Sequence, residues 1–170
     1  MKRLFKVALV AGCMLLASNF AQAQTKIGHI NFNQLFEAMP ETKTISTQLN
    51  TYKKQFMDQL QVMYTEYQTK GAAYEKARAA MTDATRTASE TELTDINKRI
   101  QDYQTNSQQQ VEAKSNELSK PVVDKATAAI NAVAKEKGYA YVLDSSQTNL
   151  IVSPAGDDLL AAVKLKLGLK

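Results

Sequence analysis

Catalytic and metal chemistry has little to stand on in this sequence. Its 170 residues include one histidine, one cysteine and no tryptophan. A lone His29 has no cysteine or second histidine near it, so a zinc site is not expected, and on an alternating segment beside Gly28 it reads as structural. No glycine-rich phosphate loop and no nucleophile–base spacing occurs, which leaves an enzyme as the least supported class and calls for no cofactor. With three prolines and six glycines, little interrupts regular structure over most of the length. The only long apolar run lies at the start.

That start reads as a secretory signal over residues 1–23. Lys2, Arg3 and Lys6 supply the positive end, the stretch 7–16 is apolar, and Ala21-Gln22-Ala23 offers a small-x-small cleavage site. A box at Val10-Ala11-Gly12-Cys13 also matches lipoprotein processing, but the apolar run ahead of Cys13 is short and the residues after it are still apolar. Cleavage after Ala23 removes the sole cysteine, and with it any disulfide or thiolate ligand. It also removes three of the 21 cations, leaving 18 against 17 acidic residues in the mature chain. The basicity of the whole chain therefore gives no argument for a nucleic-acid partner. The expected address is outside the cytoplasm, with the mature chain soluble.

Lys26-Ile27-Gly28-His29-Ile30-Asn31 alternates as a half-buried strand does. Phe32, Leu35 and Phe36 then recur at helical spacing up to Met39-Pro40. From Glu41 to about Met81 the pattern is helical: Ile45, Leu49, Tyr52, Phe56, Leu60, Met63 and Tyr67 step by 4, 3, 4, 4, 3, 4, a coiled-coil seam with one stutter. About 40 residues at ~1.5 Å each make a rod of roughly 60 Å, expected to protrude. A turn is expected over residues 82–88, with Ser89 and Glu92 as a capping box restarting the helix. Leu93, Ile96, Ile100 and Tyr103 form the returning seam. Between Gln104 and Glu117 only Val111 is large and apolar, and beyond it Leu118, Val122, Val123, Ile130 and Val133 restore an apolar face. Pro121 is expected to kink this helix. It should end at Gly138, after the cations of its last turn.

Tyr139 to Asp144 and Asn149 to Val152 read as two strands joined by a polar turn. A final amphipathic helix follows, capped by Gly156 or Asp157 and carrying Leu159, Leu160, Val163 and Leu167. The fold class is thus α+β and mostly α: a long antiparallel hairpin inserted in a small sheet made by both chain ends. The expected organisation is a body of residues 24–40 and 138–170 and an arm of residues 41–137. Such a sheet leaves edges unpaired and a thin core, so a symmetric oligomer is expected, built on Ile27, Ile30, Phe32, Phe36, Val142, Leu143, Ile151 and Leu160.

The segments Lys26–Asn31 with Leu35-Phe36 and Pro40-Glu41, and at the far end Pro121, Ala129-Ile130, Val133-Ala134 and Lys137-Gly138-Tyr139-Ala140-Tyr141-Val142-Leu143-Asp144, resemble the Skp/OmpH family of periplasmic chaperones. The resemblance implies a homotrimer whose helical arms enclose a cavity. It also implies holding of unfolded outer-membrane β-barrel proteins without ATP, so that they do not aggregate before assembly. An alternative is a structural coiled-coil adaptor or tether that binds one folded partner.

Candidate client-binding residues on the arm are Tyr52, Phe56, Met57, Leu60, Met63, Tyr64, Tyr67, Tyr74 and Met81. Most of these sit on the seam, where packing against the returning helix is the simpler role. Met57 and Tyr64 lie off it and suit adaptable contact with many chains. Lys70, Lys76, Arg78 and Arg86 form a mildly basic tip. A solvated surface is its ordinary meaning, and weak contact with acidic clients or an anionic membrane surface its functional one.

Overall fold

The computed structural model describes residues 25–169. The signal segment, its cleavage after Ala23 and the Cys13 box lie outside the described residues. In chain order the elements are β1 (Ile27–Ile30), α1 (Phe32–Ala38), α2 (Pro40–Ala77), α3 (Asp83–Glu136), β2 (Tyr141–Asp144) and α4 (Leu160–Lys166). Two compact units divide the described chain, one holding residues 25–32 and 129–168 and the other residues 33–128. The division falls inside α3. Among the described residues no helix is long and apolar enough to cross a membrane.

In the first unit β1 and β2 pair in parallel, Ile27 opposite Tyr141 and Ile30 opposite Asp144. Parallel neighbours need a crossover, and here the connection comprises all of α1, α2 and α3. The amide of Ala140 donating to Lys26 O, and that of Ser145 to Ile30 O, both at 2.9 Å, continue the pairing past each end. The other edge of β1 is met by a bridge from His29 to Asp158, where Leu159 N–H donates to His29 O at 2.9 Å. His29 Nε2 lies 3.3 Å from Pro154 O, a structural placement. Ile30, Val133, Tyr139, Leu159 and Val163 are buried.

The second strand expected near the C-terminus does not form. Asn149 to Val152 has no strand partner, and Ile151 and Val152 are 93 % and 83 % exposed. The segment around Asp158, not 149–152, is what joins the sheet, and it meets the free edge of β1. Asp144 turns the chain after β2: its Oδ1 accepts from Ser146 N at 2.8 Å and Ser146 Oγ at 2.7 Å, an Asx turn rather than a tight hairpin. Neither Gly156 nor Asp157 caps α4: Leu159 precedes its first residue without a side-chain cap bond, Asp158 Oδ1 accepts the Leu160 amide at 2.8 Å, and Asp157 takes the Tyr139 hydroxyl.

In the second unit α2 and α3 run antiparallel. Ion pairs and hydrogen bonds climb one helix while descending the other: Glu41 with Lys125, Tyr52 with Gln110, Tyr64 with Gln104, Lys70 with Glu92 and Tyr74 with Glu90. Every predicted seam residue of α2, from Ile45 through Tyr67, is half-buried, and Ile96 and Ile100 are buried on α3. The turn comes earlier than predicted. A short 3-10 turn at Arg78–Ala80 ends α2, and α3 begins at Asp83. Thr82 Oγ1 accepts from the Thr85 amide at 3.3 Å and lies 2.9 Å from Thr85 Oγ1, so Thr82 caps the helix. Ser89 and Glu92 therefore lie within α3, and Glu92 pairs with Lys70 instead of closing a capping box. A hydroxyl cap seven residues upstream serves equally well, and alanines on either side prolong the helix.

The same helix runs on through Pro121 as one element to Glu136. At its end Gly138 has φ 74°, and Tyr139 N donates to Ala134 O at 2.9 Å with Gly138 N to Lys135 O at 3.3 Å. Both bonds define a Schellman ending, which needs a residue at home in the left-handed region.

Candidate functional site

The heptad-like steps on α2 put its large side chains on one stripe, while α3 opposes its middle with small or amide side chains. Ser107 is the buried polar residue there, its Oγ donating back to Tyr103 O at 2.6 Å. Such back-bonding is how a helix tolerates a hydroxyl without a cross-helix partner. Phe56 stands at the centre, edge-on to Tyr52 with ring centroids 5.0 Å apart and tilted against Tyr103 at 6.1 Å. Gln104 Nε2 donates to the Tyr64 hydroxyl at 2.8 Å, and the Tyr52 hydroxyl donates to Gln110 Oε1 at 3.3 Å. These two tyrosine–glutamine rungs hold the helices together where the apolar core is thin. Sequence reading missed them, because a Gln-rich stretch gives no periodic signal.

A groove of about 640 Å³ opens along this part of the seam, lined in part by Leu49, Phe56, Met57, Leu60 and Val111. Met57 is 67 % exposed, and Val62, not singled out from sequence, 61 %. Tyr64 is also exposed. The remaining candidates divide. Tyr52, Phe56, Leu60, Met63 and Tyr67 are half-buried seam residues, and Met81 is half-buried at the turn. Tyr74 is buried, and its hydroxyl donates to Glu90, a bond that raises the phenol's pKa. The outward stripe is thus narrower than the nine-residue set.

At the tip, hydrogen bonding and attraction from Glu92, 2.5 Å away, raise the pKa of Lys70. Arg86 lies 3.6 Å from Asp83, and Arg78 sits over the Tyr74 ring at 5.9 Å. Lys76 is exposed. Carboxylates at Glu90 and Glu92 thus join Glu75 and Asp83 among these four cations, so the local charge is close to balanced.

Of the residues expected to build the body, Ile30 is buried, and Phe32, Phe36, Val142 and Leu160 are half-buried. Ile27, Leu143 and Ile151 face outward, joined by Tyr141 and Val152. Among the described residues no group of three His, Asp or Glu side chains is placed to hold a metal ion.

Residues 26–167 match the family described as outer membrane protein (OmpH-like). The chain is 28 % identical to the chaperone protein Skp of Photorhabdus luminescens, over 89 % of this chain and 91 % of that one. It is likewise 28 % identical to the chaperone protein Skp of Yersinia enterocolitica, covering 90 % and 94 %. An OmpH-like protein of Caulobacter crescentus, solved by crystallography, shares the fold with a TM-score of 0.65 at 16 % identity, over 86 % of each chain. With nearly all of its described length matched, the chain belongs to the OmpH-like outer membrane protein family.

Proposed function

We propose that this protein is a periplasmic chaperone for outer membrane proteins and acts as an ATP-independent holdase on their unfolded chains. Family membership, with relatives named as Skp chaperones, supports the chaperone role and a non-enzymatic one. The observation that carries the finer reading is the exposure of Met57, Val62 and Tyr64 on a hairpin that is otherwise strongly polar. A thioether, a branched aliphatic and an amphipathic ring offer weak contact that tolerates many sequences. Release then needs no nucleotide, since each contact is individually small.

The working form is a homotrimer assembled through the terminal unit after cleavage following Ala23. The outward apolar side chains of Ile27, Tyr141, Leu143 and Ile151 support assembly, because a patch of this kind on a soluble chain marks an interface. The balanced charge at the tip favours apolar over electrostatic capture of clients, and any contact with an anionic membrane is correspondingly weak.

Diluting a denatured porin into buffer tests the reading by light scattering. The mature protein should suppress the signal, and a variant carrying Met57→Ser and Tyr64→Ser should suppress it less at unchanged helicity. Equal scattering with and without the mature protein would overturn the holdase function.

A further inference from the structure

The groove along the seam is lined by two kinds of chemistry. Leu49, Phe56 and Leu60 of α2 with Val111 of α3 are apolar, and Gln104, Gln108 and Asn116 of α3 add primary amides. Each amide carries both donors and acceptors, the complement of a peptide backbone whatever its sequence. Lys53 and Glu112 are the charged lining residues, one of each sign, so the groove carries no net preference for an ion. Its volume of about 640 Å³ lies within the range of sites that enclose a small ligand, roughly 300–1,000 Å³. It exists because Ser107 and Ser115 stand where a tightly packed seam would carry leucines.

We infer that this groove seats one extended segment of a client at a time, its alternate apolar side chains entering the seam and its backbone meeting the amides of α3. An acyl chain fits less well, because it offers neither donor nor acceptor to these amides. A strand of an outer-membrane barrel alternates apolar and polar residues and presents just these two chemistries. The inference rests on the holdase reading and says which part of the client is gripped and where. Met57, half on the rim and two-thirds exposed, is placed to close over whatever enters.

The test uses the mature protein and a fluorescein-labelled peptide of about ten residues with alternating apolar and polar side chains, the length of one spanning strand. Fluorescence anisotropy reads binding, and porin light scattering is run on the same samples. Ser107→Leu fills the groove and should weaken peptide binding by about tenfold, the effect of losing one seated side chain. Gln109→Leu, which adds the same apolar group at an exposed position outside the groove, should leave it unchanged. Ser115→Leu serves where Ser107→Leu disturbs folding, as checked by circular dichroism.

If the wild type prevents porin aggregation yet ignores the peptide, or binds it equally with either serine replaced, the groove assignment falls and the holdase function stands. Groove-dependent peptide binding without any effect on porin scattering supports the assignment and removes the holdase reading instead. Laurate binding that depends on Ser107 in the absence of peptide binding overturns the assignment in favour of an acyl site.

Discussion

Two single residues of the terminal unit carry more than their size suggests. A Cβ built on Gly28 would lie 2.5 Å from Leu159 Cδ1, 3.1 Å from the Tyr139 ring and 3.2 Å from the backbone oxygen of Asp157. The leucine is fully buried and the oxygen belongs to backbone, so neither retreats easily. Gly28→Ala should destabilise the protein by about 1–3 kcal/mol through overpacking, read as a lower urea midpoint at unchanged slope. Asp144 is the second. Burial pushes its carboxyl up, but bonds from the Ser146 hydroxyl, the Ser146 amide and the Phe32 amide outweigh it and hold the pKa below the ordinary 3.8. A carboxylate so depressed adds stability above its unfolded value and loses it as pH falls through the folded one. Asp144→Ala should therefore lower the urea midpoint at neutral pH, and the gap from wild type should shrink on going below pH 3.8.

At the scale of elements, the hairpin is uneven along its length. Its tip is fastened by Lys70 to Glu92 and Tyr74 to Glu90, and below them come the buried Ile96 and Ile100. Its middle has glutamine rungs and a groove, and its far end recovers with Val122 and Ala126 buried and Glu41 paired to Lys125 at 2.5 Å. The Glu41 carboxyl is held below its ordinary value, first by that lysine. Local opening should follow core density, so amide exchange around Ser107 should outpace exchange around Ile96. Thr82 is the point from which α3 starts. Thr82→Ala should cost about 0.5–2 kcal/mol of helix stability, visible as faster exchange in the first turns of α3 while β1 and β2 stay protected.

For the molecule as a whole, the outward apolar residues of the terminal unit are the feature that a single chain leaves unexplained. Leu143 projects from β2, whose second edge has no strand beside it among the described residues. An open edge with apolar side chains is a liability unless another chain covers it. Leu143→Asp should shift the mass seen by multi-angle light scattering from an oligomer to a single chain at micromolar concentration. The helical signal of the hairpin should largely remain, since Leu143 lies outside residues 33–128.

Sequence alone was enough for several features that depend on period or on one backbone conformation. The stutter of the α2 seam, the alternation of β1, the entry at Pro40 and the left-handed ending at Gly138 are all local consequences of side-chain spacing and steric freedom. Hydrophobic burial repeats with the helix, so the stripe is written in the chain. What only the tertiary structure decided involves choices among near-equal local options or partners far apart in the chain. Thr82 competes with Ser89 as a cap, and the register with α2 selects the earlier turn. Asn149 to Val152 has strand-forming residues, yet it leaves the second edge of β2 unpaired, because the Asx turn at Asp144 leads the chain away from a tight hairpin. The groove is likewise beyond sequence reading: it arises where Ser107 and Ser115 of α3 and Leu49, Phe56 and Leu60 of α2 line one space across two helices. A void is a property of facing surfaces, and no single segment encodes it.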